Sequence, residues 1–339
     1  MKRYLVTGGS GFLGSALVRR LIHAGHGVRV LDNNLRGAHR RLEGLRNDCE
    51  FIEGDIRNAE VVSTAAEGTD SICHLAFVNG TEYFYRMPDL VLDVGVRGMI
   101  NIVDACLKHQ IPELILASSS EVYQEPKVIP TDETVPLIIP DPLNPRYSYA
   151  AGKLISEILA LNYGRLERFQ RVVVFRPHNV YGPDMGTEHV IPQFALRMID
   201  LCRDRRSGAL QFPIQGTGKQ TRAFIYIDDF IDGLSLVLEK GAHLGIYHVG
   251  TMEEVAIEDA ARLVAQVFDR QIEIVPNTAP LGGTSRRCPD ISKLASLGFV
   301  PKWSLRDGIE ATTNWYIRNI EICTNAIDPE DKRWKVGIV

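Results

Sequence analysis

Tyr149 and Lys153 stand four residues apart in the run RYSYAAGKLISE, from Arg146 to Glu157. At about 3.6 residues per turn this spacing puts both on one face of a helix, whereas Tyr147 lies well round the barrel from Lys153. A phenol beside an ammonium group can take a proton from an alcohol. The unperturbed tyrosine pKa is about 10, and nearby positive charge favours the phenolate. The same pair also arises as plain surface packing. A second polar group adds weight: Ser118, Ser119 and Ser120 end the apolar run ELILASSS. A hydroxyl at the carboxyl end of a strand sits where ligands bind in open α/β sheets, although serines there also serve as turn formers. The run around Tyr149 reads as a helix. Asn144-Pro145 breaks what precedes it, Ala150 and Ala151 are good formers, and Leu154, Ile158 and Leu161 recur at helical spacing and predict an apolar inner face.

An alcohol that loses its proton in this way needs a hydride acceptor, and the N-terminus offers a place for one. VTGGSGFLG sets Gly8, Gly11 and Gly14 after a first strand and into a first helix. Glycine there allows a tight turn and lets a pyrophosphate approach the backbone, while the helix N-terminus attracts the anion. Asp32 ends the second strand, 18 residues beyond Gly14, where a carboxylate holds adenosine ribose hydroxyls. That charge repels a 2′-phosphate and points to NAD; Arg36 and Arg40 are the residues that would serve NADP. Asp55, in GDIR after the third strand, suits either an adenine contact or ordinary turn chemistry.

These groups need a sheet to hold them. RYLVT, GVRVLD, CEFIEGD, SICHLA, ELILASSS and RVVVFRP alternate with helical patterns such as Leu13, Leu17 and Leu21. Continuous apolar strands separated by crossovers predict an α/β fold: a Rossmann-type doubly wound parallel sheet with a smaller α/β substrate-binding lobe. After Pro177 the pattern turns irregular, until RAFIYIDDF (222–230) and GIYHVG (245–250) look like a return to the sheet. The expected division is 1–177 plus about 222–250 for the dinucleotide domain, about 178–221 plus 251–322 for the lobe, and a charged tail at 323–339.

Composition narrows the partners. The 339 residues carry 38 basic and 42 acidic side chains, a net charge of -4 with no long basic run, which argues against nucleic acid or anionic membrane and for a small ligand. The six cysteines are scattered without metal-ligand spacing, so reduced thiols and no metal site are expected; His74 and His178 read as structural. No signal peptide or run of ~18 apolar residues is read, and a cytoplasmic setting is expected.

TGGSGFLG, GDIR, HLA, SSSEVY, YSYAAGK, RPHNVYGP, TRAFIYIDD and RRCPDISKLASLGFVPKWSLRDGI together resemble the extended short-chain dehydrogenase/reductases that modify nucleotide sugars, over residues 3 to about 315. The resemblance implies Tyr149 as catalytic base, Lys153 on the nicotinamide ribose, Ser119 as hydroxyl partner, and Glu121 as a further acid or base near sugar C5. It extends the NAD set to Phe12, Leu13, Asn33, Ile56, Leu75, Ala76 and Pro177. It puts Ser120, Asn179, Arg222 and Arg287 on the substrate, and Val190, Ile191, Gln211 and Phe212 around its base. Three positions depart from the pattern: Phe77 stands where a small residue is usual, Gly95 where an asparagine is common, and Gln124 where a glycine follows EVY. Phe77, with Thr81 and Glu82 nearby, reads as core packing or as a reshaped sugar pocket.

The implied function is an NAD-dependent nucleotide-sugar epimerase, foremost a 4-epimerase, that oxidises C4 transiently. The alternative is a 4,6-dehydratase or uronate decarboxylase using Glu121, although Ser120 stands where the dehydratase run has aspartate. A third class is a non-catalytic dinucleotide sensor, which would usually lack the Tyr/Lys pair. The resemblance also implies a nucleoside diphosphate sugar as partner, and a homodimer formed through helices 88–108 and 149–163.

Overall fold

The computed structural model describes residues 1–45, 47–204, 208–278 and 282–325. Six parallel strands come from residues 1–177: β1 (Arg3–Thr7), β2 (Gly27–Asp32), β3 (Cys49–Glu53), β4 (Ser71–His74), β5 (Glu113–Ala117) and β6 (Arg171–Pro177). Between them run α1 (Phe12–His23), α2 (Ala59–Ala66), α3 (Thr81–Arg86), α4 (Pro88–Lys108) and α5 (Ser148–Tyr163). Then follow β7 (Val180–Tyr181), α6 (Val190–Asp204), β8 (Leu210–Gln215), β9 (Thr221–Ala223), β10 (Ile225–Tyr226), α7 (Ile227–Lys240) and β11 (Gly245–Val249). The last elements are β12 (Glu254–Ala256), α8 (Ile257–Val267), β13 (Ile272–Asn277), β14 (Arg286–Arg287), α9 (Ser292–Ala295), α10 (Leu305–Arg318) and α11 (Ile320–Asn325).

The main sheet has seven strands in the order β11-β6-β5-β4-β1-β2-β3, each pairing parallel with its neighbours. Side chains alternate along each strand, so both faces are apolar. Leu5, Leu31, Ile72, Leu114 and Val172 enter one core with α2, α4 and α5, while Val6, Val30, Cys73, Ile115 and Val173 enter the other with α1 and α7. The winding reverses between β1 and β4, which opens a crevice at their carboxyl ends.

The expected return of RAFIYIDDF to this sheet is corrected. Thr221–Ala223 pairs with β12 and β14, and Ile225–Tyr226 pairs with β7; GIYHV alone rejoins the main sheet, beside β6. Helix α5 is also turned relative to expectation. Its buried face is Gly152, Lys153, Ser156, Glu157 and Ala160, whereas Ile158 is exposed. Polar groups face inward here because each has a partner: Glu157 meets Arg176 of β6 at 2.6 Å, and Ser156 Oγ donates to Gly152 O at 2.8 Å. Of the charged tail expected at 323–339, residues 323–325 close α11, and residues 326–339 lie outside the described part of the chain.

Candidate active site

A cleft of about 610 Å³ lies over the β1/β4 crevice. Gly8, Gly11 and Gly14 line its floor where β1 runs into α1, together with Phe12 and Leu13. Bare backbone is required at two of these positions. Gly8 has φ 72° and a Cβ there would come within 2.7 Å of Ala76 N, while a Cβ at Gly14 would overlap the Gly8 carbonyl. The N-terminus of α1 therefore opens onto a cradle without side chains, which fits a pyrophosphate.

Asp32 is buried at the end of β2, where its carboxylate accepts Ser10 N and Asn34 N, both at 2.9 Å. Asn33, Asp55 and Ile56 continue that wall, and Asn33 Nδ2 donates to Asp55 Oδ2 at 3.2 Å. Hydrogen bonds from Arg57 hold the Asp55 carboxyl below the usual carboxylate range. The two arginines that would attract a 2′-phosphate are engaged elsewhere: Arg36 pairs with Glu188, and Arg40 pairs with Asp184. The cradle, the carboxylate at the ribose position and the neutralised arginines fit NAD. Leu75, Ala76 and Pro177 line the cleft farther in.

At that inner end β5 delivers the serines and α5 delivers Tyr149 and Lys153. Asn144 caps the short 3-10 turn that leads into α5, its side chain accepting Arg146 N at 3.0 Å. Lys153 Nζ donates to Ala117 O at 2.7 Å and lies 5.9 Å from the centre of the Tyr149 ring. Phe84 stacks on Tyr149 at 4.9 Å, and Phe77 meets it edge-on at 5.1 Å. Burial pushes the Tyr149 phenol up, a shift opposed by its hydrogen bond with Ser119 and reinforced by the Glu121 charge. Burial also lowers Lys153 to about 7, against the pull of Glu157.

Glu121 sits in the 3-10 turn after β5, which is capped by Ser119 Oγ accepting Glu121 N at 3.1 Å. Its carboxylate pairs with Arg287 at 2.6 Å. Burial raises this carboxyl, but Arg287, with Arg146 and Arg222 farther off, outweighs burial and holds it below its ordinary value. Ser120, Asn179 and Arg287 line the same end of the cleft.

Five expected substrate residues do not line the cleft, among them Ile191, which is buried in the core. Strand β8 alternates in burial, so Phe212 is fully buried in the core against Phe194, while Gln211 points outward to Glu273 of β13. Val190 opens α6 and packs on the core. Arg222 spends its guanidinium on the carbonyls of Thr221 and Thr284, at 2.7 and 2.8 Å. Glu82 is likewise absent from the lining, being paired with Arg86 on α3. Sequence reading passed over Arg146, Phe84, Asp184 and Glu188, all of which line the cleft. They reach it through contacts distant in the chain, which no local spacing signals.

His74 and His178 are buried; His74 Nδ1 is 2.8 Å from Thr7 Oγ1. No group suited to a metal ion occurs among the described residues. No helix among them is long and apolar enough to cross a membrane.

Comparison with known proteins places this geometry. The profile of the NAD dependent epimerase/dehydratase family matches residues 4–250. UDP-glucuronic acid decarboxylase 1 of Arabidopsis thaliana is 33% identical over 312 residues, 91% of this chain and 68% of that protein. The structure of a dTDP-glucose 4,6-dehydratase from Streptomyces venezuelae, with NAD bound, superposes with a TM-score of 0.84 at 27% identity, covering 96% of this chain and all of that one. A UDP-glucose 4-epimerase from Thermotoga maritima, solved with UDP-glucose, gives 0.82 at 26% identity over 94% of this chain and 99% of that one. With its parallel sheet, its glycine cradle and its Tyr/Lys pair, the chain belongs to the NAD-dependent epimerase/dehydratase family of nucleotide-sugar-modifying enzymes.

Proposed function

We propose that this protein is a 4-epimerase of a nucleoside diphosphate sugar, working through transient oxidation at C4. The observation that carries this reading is the meeting of Ser119, Tyr149 and Lys153 at the inner end of the NAD cleft. Tyr149 takes the C4 hydroxyl proton, and Ser119 shares the same oxygen. Lys153, whose Nζ lies 5.9 Å from the centre of the Tyr149 ring, favours the phenolate when it carries its charge. Bound NAD supplies the hydride acceptor, later the donor, and its oxidised ring adds positive charge beside the phenol. Tyr149 returns its proton once the keto sugar has turned over and been reduced on the other face.

Two features separate this outcome from dehydration. Loss of water across C5 and C6 needs a base for the C5 proton and an acid for the leaving oxygen. Ser120 offers no carboxyl, and Glu121 is held ionised by Arg287. Epimerisation needs neither. A second reading, uronate decarboxylation, is favoured by the guanidinium groups of Arg287 and Arg146 lining the cleft, which can bind a sugar carboxylate. We further propose that about 178–221 and 251–322 form the lobe that holds the nucleotide sugar, that Asn179 contacts its diphosphate and Arg287 its nucleotide, and that the enzyme works in the cytoplasm. The deciding experiment is incubation with a panel of nucleoside diphosphate sugars read by mass spectrometry and NMR. An unchanged mass with a new C4 configuration supports the proposal, and loss of carbon dioxide or water overturns it in favour of the named lyase. NAD-loaded protein that turns over no member of the panel returns the chain to a sensor role.

A further inference from the structure

Phe77 and Gly95, which read from sequence as two separate oddities, form one device. Phe77 leaves the loop after β4, and the tip of its ring enters a notch between α4 and α5. A Cβ on Gly95 of α4 would overlap the ring, and one on Gly152 of α5 would stand 2.9 Å from its Cζ. Glycine is a poor former in the interior of a helix, and here two neighbouring helices each carry one where the ring sits. The rest of the ring faces the site. Its face lies 4.1 Å from Lys153 Nζ, and it meets Tyr149 edge-on at 5.1 Å. A ring that served only as filler would need the notch but not the ammonium.

We propose that Phe77 is a positioning residue: seated in the Gly95/Gly152 notch, it holds the Lys153 ammonium on its face and the Tyr149 phenol on its edge, and so fixes the geometry of the reacting pair. This deepens the function proposed above and rests on it for the roles of Tyr149 and Lys153. Two contacts fix Nζ, the Ala117 carbonyl of β5 at 2.7 Å and the ring face at 4.1 Å. The charged and titratable groups facing Lys153 are Glu157 and Tyr149 on its own helix and His74 from β4. Glu157 is itself bound by Arg176 of β6, and Ser119 and Glu121 lie beyond Tyr149.

The test compares Phe77→Ala, Phe77→Leu, Gly95→Ala and the double variant Phe77→Leu/Gly95→Ala in the NAD-loaded protein, using the substrate that the wild type turns over. Both single changes at Phe77 should lower kcat on the order of 10- to 100-fold, with KM and NAD content within about twofold of wild type. Gly95→Ala should lower both kcat and the melting temperature, because its methyl group displaces the ring. In the double variant the shorter leucine relieves that clash, so the melting temperature recovers while kcat stays low. Recovery of kcat in the double variant, or wild-type kcat in Phe77→Ala, would overturn the proposal and leave Phe77 as filler. One arm needs no sugar: an NMR titration of Lys153 in NAD-free protein should shift when Phe77→Ala removes the ring from beside Nζ. An unmoved titration also overturns the proposal. If the wild type acts on no nucleotide sugar, the proposed function fails, and this titration still decides the role of the ring.

Discussion

Burial opposes the charge of Lys153, and one carbonyl and one ring hold its Nζ in place. Tyr149, its neighbour, is pushed toward the neutral phenol by the same burial. The chemistry therefore depends on the pair rather than on either group, and Tyr149→Phe should lower kcat by about 10²- to 10⁴-fold while the purified protein retains NAD. Near-normal turnover in that variant would remove the proposed mechanism. Glu121 asks a different question. Under 4-epimerisation, Glu121→Gln should change kcat by less than about tenfold, since no step there needs a third acid or base. Under decarboxylation it should stop product while reduced nicotinamide still accumulates, which absorbance of the holoenzyme would show. The substitution also leaves Arg287 without its charged partner, so melting temperature should be measured alongside.

The elements that carry these groups were legible where their signals are local. The glycine loop with its flanking strand and helix, and the Tyr149/Lys153 spacing, depend on neighbours in sequence, and their geometry follows from one turn of helix or one strand end. Helix α5 shows where such reading stops: its polar face turns inward because Arg176 and Ala117, from two other strands, satisfy Glu157 and Lys153. Strand β8 shows the same limit, since the alternation that buries Phe212 also turns Gln211 away from the cleft. The Glu121–Arg287 pair closes over a separation of 166 residues, which no spacing rule reaches. Turning α5 over leaves Ile155 and Ile158 exposed, and Ile100 is exposed on adjacent α4. We propose that these apolar faces join two copies of the chain. Ile158→Glu should then give a monomer by light scattering with its fold intact, and an unchanged assembly would rule that surface out.

Across the whole molecule, the buried histidines set the response to acid. Burial lowers His74 to about 3, with Lys153 adding to the effect; it lowers His178, with Arg287 and Arg176 adding, and His248, against the pull of Glu133. Between each folded value and about 6.5 the unfolded chain binds a proton that the folded chain refuses. The stability these groups contribute is therefore present above pH ~6.5 and lost as pH falls, at up to about 1.4 kcal/mol per pH unit for each histidine. Urea unfolding of NAD-free protein from pH 7 to pH 4.5 should show a steep decline, and a flat profile would mean that these rings take up protons in the native state. The ion pairs joining Arg36 to Glu188 and Arg40 to Asp184 have a consequence of another kind. They join two loops that border the same cleft, where they would slow the departure of a bound dinucleotide. Dissolved ions loosen partly exposed pairs of this sort, so the enzyme should surrender its coenzyme faster in concentrated salt, and in dilute buffer it should finish many rounds with the molecule it started with.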